Sequence, residues 1–303
     1  MRRMLCRVVL AMASVAGGVS MPSIAWTALE PPEREDRFVI HAGDASETEL
    51  GLLKRRLGES YSLIRSVLCA AGFDWREPER PLIWHRFETE TAYRRYCRTA
   101  EGLELHSFDS FYSASTNVVV WLAHESADPD SAHSERERRL ISHEAAHQIA
   151  FNCGILRRGV VYPFWVSEGL ATSFEYTGPE APQSLPPNPA RRAGILRQLA
   201  SGSLLPVDRF LLLTQVPPSL YAKTSDLYDQ AWALFRFLLH EHPQALRAYL
   251  EELSLNAWIP PTDEKQRAAF ERAFGDIGAI EVEWRVYLEH LYQESGRPRV
   301  LVP

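Results

Sequence analysis

Ser134-Glu-Arg-Glu-Arg-Arg-Leu-Ile-Ser-His-Glu-Ala-Ala-His-Gln-Ile-Ala-Phe-Asn-Cys-Gly154 reads as one helix. Ser134 and Glu137 form a capping-box pair, each side chain able to satisfy a backbone N–H left free in the first turn. Gly154 supplies the stop, because glycine enters the left-handed region without a Cβ penalty. Inside the helix lies His143-Glu144-Ala145-Ala146-His147. Residues four apart share a helix face, so the two imidazoles can aim at one point. That is a two-histidine grip on zinc, with Glu144 placed to take a proton from water. A chance match to this pattern is expected in about 1% of chains of this length.

A second stretch, Phe164-Trp-Val-Ser-Glu-Gly-Leu-Ala-Thr-Ser-Phe-Glu-Tyr-Thr-Gly178, follows. Ser167 reads as an N-cap and Gly178 as a stop, so Glu168 opens a short helix. A helix, a turn and a returning helix bring Glu168 beside His143 and His147. Two nitrogens, one carboxylate and an open fourth position are the pattern of a catalytic zinc site, not of a closed structural one.

The run His-Glu-Ala-Ala-His followed by Trp-Val-Ser-Glu-Gly-Leu-Ala-Thr resembles the gluzincin metallopeptidases, the group containing thermolysin and aminopeptidase N. It looks closest to the bacterial peptidase MA-like families, many of them domains of unknown function. The specific likeness runs from about Phe108 to Tyr176, with a looser match to about His240. It implies a zinc-dependent peptidase fold. Aminopeptidase N-type enzymes carry a Gly-x-Met-Glu-Asn segment whose Glu anchors the substrate's free amine; residues 108–122 contain no Glu. An endopeptidase is therefore expected over an aminopeptidase. Such peptidases often use a Tyr or His as oxyanion donor. Tyr228 is the candidate and Tyr221, in a Pro-rich loop, a weaker one. Tyr228 shares helical spacing with Trp232 and Phe235, so it also fits a core position.

The chain has 303 residues, 46% hydrophobic and 24% charged, a globular composition, with a net charge of -6 that offers no basic excess for nucleic acid or anionic membrane. Arg2, Arg3 and Arg7, the apolar run Val8 to Val19 and Ser23-Ile24-Ala25 fit a secretory signal peptide over residues 1–25. The expected product is exported, periplasmic or secreted, and without membrane attachment after cleavage. Beyond the signal, residues 26–178 are expected to form an α/β lobe carrying the metal helix, and residues 179–303 a helical lobe completing the cleft. Cys69, Cys97 and Cys153 remain in the mature chain, compatible with one disulfide and one buried thiol or with three thiols. Cys153 reads as a small buried residue at the helix end.

The expected fold class is α+β: a mixed sheet with an edge hairpin, the metal helix, and a mostly helical second half. Arg37–His41 and Pro81–His85 read as strands. Leu50, Leu53, Leu57, Tyr61, Ile64 and Leu68 mark an amphipathic helix capped by Ser46 and Glu49. Thr89–Arg98 reads as a short helix, and Phe108–Ala114 with Val118–His124 as a hairpin. Gluzincins place an edge strand along the cleft, where an extended substrate can pair with it; Val118-Val-Val-Trp-Leu122 is the candidate edge, although its continuous hydrophobicity also fits a core strand. Proline-rich residues 178–189 lead to helices over 190–200, 207–214, 228–240, 243–253, 263–274 and 281–291. Tyr228–Leu239, apolar nearly all round, is expected to be the central buried helix.

Thr172 and Glu175 lie four and seven residues after Glu168 and are candidates to orient a ligand histidine. His133 is read as loop, and His85, His106, His124, His240 and His242 as structural or exposed. The expectation is an exported zinc metallopeptidase with Glu144 as general base, acting on a peptide or protein. A zinc hydrolase of a non-peptide amide and a non-catalytic peptide-binding domain are the alternatives; Glu144 between the histidines argues against the latter, because a purely structural site needs no base.

Overall fold

The computed structural model describes residues 37–103, 109–123, 132–176, 178, 184–186, 188–255 and 262–293. The signal segment 1–25, His106, His124, the side chain of His133 and prolines 179, 182 and 187 lie outside the described residues. The fold is mixed α+β, an N-terminal α/β part followed by a helical part.

Four strands, β1 (Phe38–His41), β2 (Leu82–Phe87), β3 (Ser110–Ser113) and β4 (Val118–Leu122), form one sheet in the order β1-β2-β4-β3. β1 with β2 and β2 with β4 are parallel, and β3 returns antiparallel on β4. A parallel pair needs a crossover. Here α1 (Glu47–Ala70) joins β1 to β2, and α2 (Glu90–Ala100) lies between β2 and the hairpin. Ser46 caps α1 with the expected capping box, and Thr89 caps α2. The hairpin turns through Ala114–Asn117, with Asn117 at φ 62°. Asparagine tolerates this left-handed conformation better than most side chains.

The candidate edge strand is corrected. β4 lies between β2 and β3, so the free edge at this end of the sheet belongs to β3. Both backbone edges of β4 are taken up in pairing, with β2 on one side and β3 on the other. Val119 and Trp121 enter the main core, whereas Val118, Val120 and Leu122 enter a smaller one with Tyr93, Cys97 and Phe111. A strand covered on both faces reads as an unbroken apolar run, yet β3, covered on both faces through Tyr112 and Phe111, is the edge, so burial alone does not place a strand in the sheet.

The expected metal helix, α3, spans Ala132–Asn152 and α4 spans Phe164–Ser173. Both begin before their expected starts. Ser134 sits within the first turn of α3 rather than at its cap. Pro163 occupies the cap position of α4, so Ser167 and Glu168 lie inside that helix. The chain also leaves α4 at Ser173, well before Gly178. The remainder is helical: α5 (Pro189–Ser201), α6 (Val207–Phe210), α7 (Thr224–Glu241), α8 (Pro243–Ser254), α9 (Asp263–Phe274) and α10 (Ile277–Gln293), with a 3-10 turn at Pro218–Lys223. α7 begins one turn ahead of Tyr228 and is the buried helix expected, with most of its length packed among α4, α5 and α8.

One core runs from Phe38 to Leu288 and takes side chains from the sheet, α1, α3, α4 and α7. α4 and α7 meet at Gly169, where a Cβ would lie 2.5 Å from the Ala231 carbonyl oxygen and 2.7 Å from Phe235 Cβ. Cys69 is an exposed thiol, and Cys97 and Cys153 are buried thiols. Burial pushes the Cys97 thiol up to about 11 and the Cys153 thiol up to about 12. No helix among the described residues is long and apolar enough to cross a membrane.

Candidate metal centre

The polar side chains of α3 divide between two directions. Glu144, Gln148 and Asn152, spaced by four, face the hairpin and β2. Ser110 donates its hydroxyl to Glu144 Oε1 at 2.9 Å. Gln148 accepts from Trp84 Nε1 at 2.8 Å and donates to the carbonyls of Ile83 and Asn117. Asn152 exchanges side-chain hydrogen bonds with Asn117. These contacts fix the rotation of α3 against the sheet and leave His143 and His147 turned toward α4.

There the two Nε2 atoms lie 3.2 Å apart. Glu168 Oε2 is 3.4 Å from His143 Nε2 and 3.6 Å from His147 Nε2. All three side chains are buried. The donor set passes a simple geometric test for an ion. Tetrahedral zinc at about 2.0–2.1 Å from each donor requires donors about 3.4 Å from one another. Glu168 Oε2 is a buried carboxylate oxygen without a hydrogen-bond partner among the described residues. A buried anion of this kind is costly unless a cation or donors meet it.

The charge balance points the same way. Glu144, Glu168 and Glu175 are buried and act on the His143 ring, and the buried Arg191 guanidinium meets Glu175 and, on its other side, the buried Asp229. Burial alone would raise the Glu168 carboxyl, but the positive charge of the neighbouring His147 and His143 rings holds it at about 2. Burial alone would lower His143, but Glu168, Glu175 and Glu144 lift it to about 10. The carboxylates thus demand positive charge on the ring side, and a divalent cation supplies charge of that sign.

Glu175 donates order to this arrangement from just past the end of α4. Its Oε1 lies 2.9 Å from His143 Nδ1. A carboxylate on the far nitrogen fixes the tautomer that presents Nε2 to a metal. Burial would raise Glu175, but Arg191 and then His143 hold it at about 2. Thr172, the other expected partner, does something else: its hydroxyl donates to the carbonyl oxygens of Glu168 and Gly169. Together with the Ser173 hydroxyl on Gly169, it closes the end of α4. The chain then turns out of the helix, and this turn, not helical spacing, carries Glu175 to the ring.

Tyr228 lies in the second turn of α7 and is buried. Its ring centroid is 6.3 Å from that of His143 and 5.2 Å from that of Phe164. It therefore belongs to the core and also stands beside α3. Tyr221 is about half exposed on the 3-10 turn. His240 is exposed, and His242 pairs with Glu283 at 2.9 Å. His85 stacks on His41, with ring centroids 4.8 Å apart.

Sequence reasoning passed over Ser110, Asn188, Arg191 and Asp229. Asn188 carried a signal as the N-cap of a helix with proline at its first position. Gly194, inside α5, carried another: a Cβ there would lie 1.8 Å from Asp229 Oδ2, so the glycine admits that carboxylate.

Fold and site together define a mixed α+β protein with a buried His-His-Glu group able to hold a metal ion. The family described as "Protein of unknown function (DUF1570)" matches residues 139–260, a span that contains His143, Glu144, His147, Glu168, Glu175, Arg191, Tyr228 and Asp229. No curated protein matches the chain.

Proposed function

We propose that the chain is a zinc-dependent hydrolase of peptide bonds, of gluzincin type, and an endopeptidase. The observation that carries the reading is the approach of His143 Nε2, His147 Nε2 and Glu168 Oε2 to within 3.2–3.6 Å, with an acidic residue next to a ligand on the same helix. The resemblance of residues 108–176 to gluzincins supports it, as does the borderline-soft character of a two-imidazole, one-carboxylate donor set.

Zinc bound by His143, His147 and Glu168 would polarise a scissile carbonyl and make water acidic near neutral pH. Glu144 takes the proton from the attacking water and returns it to the leaving amine. Ser110 holds one oxygen of Glu144, so the carboxylate does not swing between these two tasks. Tyr228 is the proposed donor to the oxyanion, which needs a fixed hydrogen-bond partner as charge develops. The absence of Glu from residues 108–122 removes the amine anchor of an aminopeptidase and supports internal cleavage. The proposed setting is outside the cytoplasm, on the N-terminal pattern of residues 1–25.

Purified protein should contain about one zinc per chain. It should cleave members of an unbiased peptide library internally, and a chelator should stop the cleavage. Glu144→Gln should retain the zinc and lose about 10²–10⁴ in kcat. Metal-independent cleavage, or full turnover by E144Q, would reject the mechanism. Trimming confined to free amino ends would reject the endopeptidase assignment. A zinc-loaded chain that spares all peptides would move the assignment to a non-peptide amide.

A further inference from the structure

Arg191 touches neither His143 nor the other expected ligands, yet it meets two groups that border the site. From the first turn of α5 its Nε and Nη2 donate to both oxygens of Glu175, at 3.3 and 3.0 Å. Its Nη1 donates to Asp229 Oδ1 at 3.2 Å. Its guanidinium carbon stands 5.4 Å from the centre of the Tyr228 ring. Asn188 adds a second tie: it accepts from the Arg191 backbone N–H through Oδ1 and donates to Glu175 Oε2 through Nδ2 at 3.0 Å. Arg191 and Gly194 lie three apart on one face of α5. The missing Cβ of Gly194 is what lets Asp229 close on that face.

We propose that Arg191 is the positioning residue of the site, and that one guanidinium sets both the metal ligand His143, through Glu175, and the candidate donor Tyr228, through its ring and its neighbour Asp229. The inference rests on the metal-hydrolase reading above. The residue type follows from the geometry. Three donors in a planar fork reach two carboxylates in different directions, and lysine, a point charge on a flexible stem, cannot reproduce that fork. The arrangement also explains why Glu175 can leave α4 and still hold one position: each of its oxygens is bonded from α5, and Oε1 also meets the imidazole. Arg191 thereby couples a ligand on α3 to a side chain on α7 without contacting the reacting atoms.

The test is zinc affinity of the full chain, measured by competition with a chromogenic chelator, together with kcat and KM on a cleaved peptide. Arg191→Lys should weaken zinc binding by about 10–100-fold, the range for loss of a partner that orients a ligand histidine. It should lower kcat at saturating zinc more than it raises KM. In 15N spectra of the zinc-loaded protein, the His143 Nδ1 proton should be protected from solvent in wild type and exchange in R191K. Because an unpaired buried charge can unfold the chain, the neutral combination E175Q/R191M/D229N provides a second variant without that charge; it should fold, bind zinc as weakly as R191K and show the same kcat loss. Wild-type zinc affinity, an unchanged kcat and a protected Nδ1 proton in either folded variant would overturn the proposal. If wild type itself binds no divalent metal, the hydrolase reading falls and takes this inference with it. If wild type binds and cleaves while the variants match it, only the role of Arg191 falls.

Discussion

The two sides of α3 hold their polar groups by different means. Toward the hairpin, Glu144, Gln148 and Asn152 are met by neutral partners: a serine hydroxyl, an indole N–H, an asparagine amide and backbone carbonyls. Toward α4 and α5, His143 is met by a carboxylate that is itself clamped by a guanidinium. Neutral contacts orient a group without committing the pocket to a charge, which suits a base that must gain and lose a proton. Charged contacts hold a geometry more strongly, and they suit ligands that should not move. On the hydrolase reading proposed above, the same helix would present a compliant side to the chemistry and a stiff side to the ion.

The stiff side should show the largest effect. Glu168→Ala removes one of three converging donors, and zinc affinity should fall by at least the 100-fold at the upper end for outer partners. Unchanged affinity in equilibrium dialysis would remove Glu168 from the ligand set and erase the contrast. On the compliant side, Ser110→Ala should leave zinc content intact and lower kcat by about tenfold or more, tenfold being the lower end of what such a hydrogen bond contributes. A hydrogen bond to a charged group contributes about 1.5–3 kcal/mol, and about 1.4 kcal/mol corresponds to a factor of ten. Ser110→Thr, which keeps the hydroxyl, should recover most of the loss. If S110A instead lost its metal, the two sides would not be separable.

The smallest effect sharpens the comparison within the charged side. Arg191 meets Glu175 through two donors and Asp229 through one, and the two carboxyls shift in opposite directions. Burial raises Asp229, Arg191 offsets this only in part, and the group stands at about 6 against 3.8. Its protonated form is therefore favoured by folding. That contribution to stability is complete below about pH 3.8 and is lost as pH rises through about 6. Asp229→Asn lacks this titration, so chemical denaturation should show wild type losing stability relative to D229N from pH 4 to about 6. Parallel pH profiles would show that the clamp binds both carboxyls alike.

Much of the centre was legible because its signals are local. The spacing of His143 and His147 follows from one turn of helix, and Glu168 comes with a recognisable stretch. Glu175 was singled out as a partner for a ligand histidine, but for the wrong reason: helical spacing was invoked, whereas a break in the helix delivers it. Arg191 and Asp229 left no such trace. A charged residue in an amphipathic helix ordinarily faces solvent, and only the packing of α5 on α7 turns these two inward. For β4 the unbroken apolar run told of covering on both faces but not of its place in the sheet: β3 is covered on both faces too, and it is pairing with β2 on one side and β3 on the other that keeps β4 from the edge. The starts of α3 and α4 were displaced because Ser134 and Ser167 fit a cap by type, while the helices continue past them to Ala132 and Phe164.

Gly169 carries a consequence for how such a protein tolerates change. It follows Glu168 directly, and the backbone of α7 rests against it, one turn from Tyr228. A single methyl group added there would wedge the two helices apart, carrying an acid on one and a phenol on the other out of register together. The chain would keep all its reactive groups and lose their spacing. Sequence drift at this silent position would therefore disturb the candidate centre from a distance, through the packing of α4 on α7.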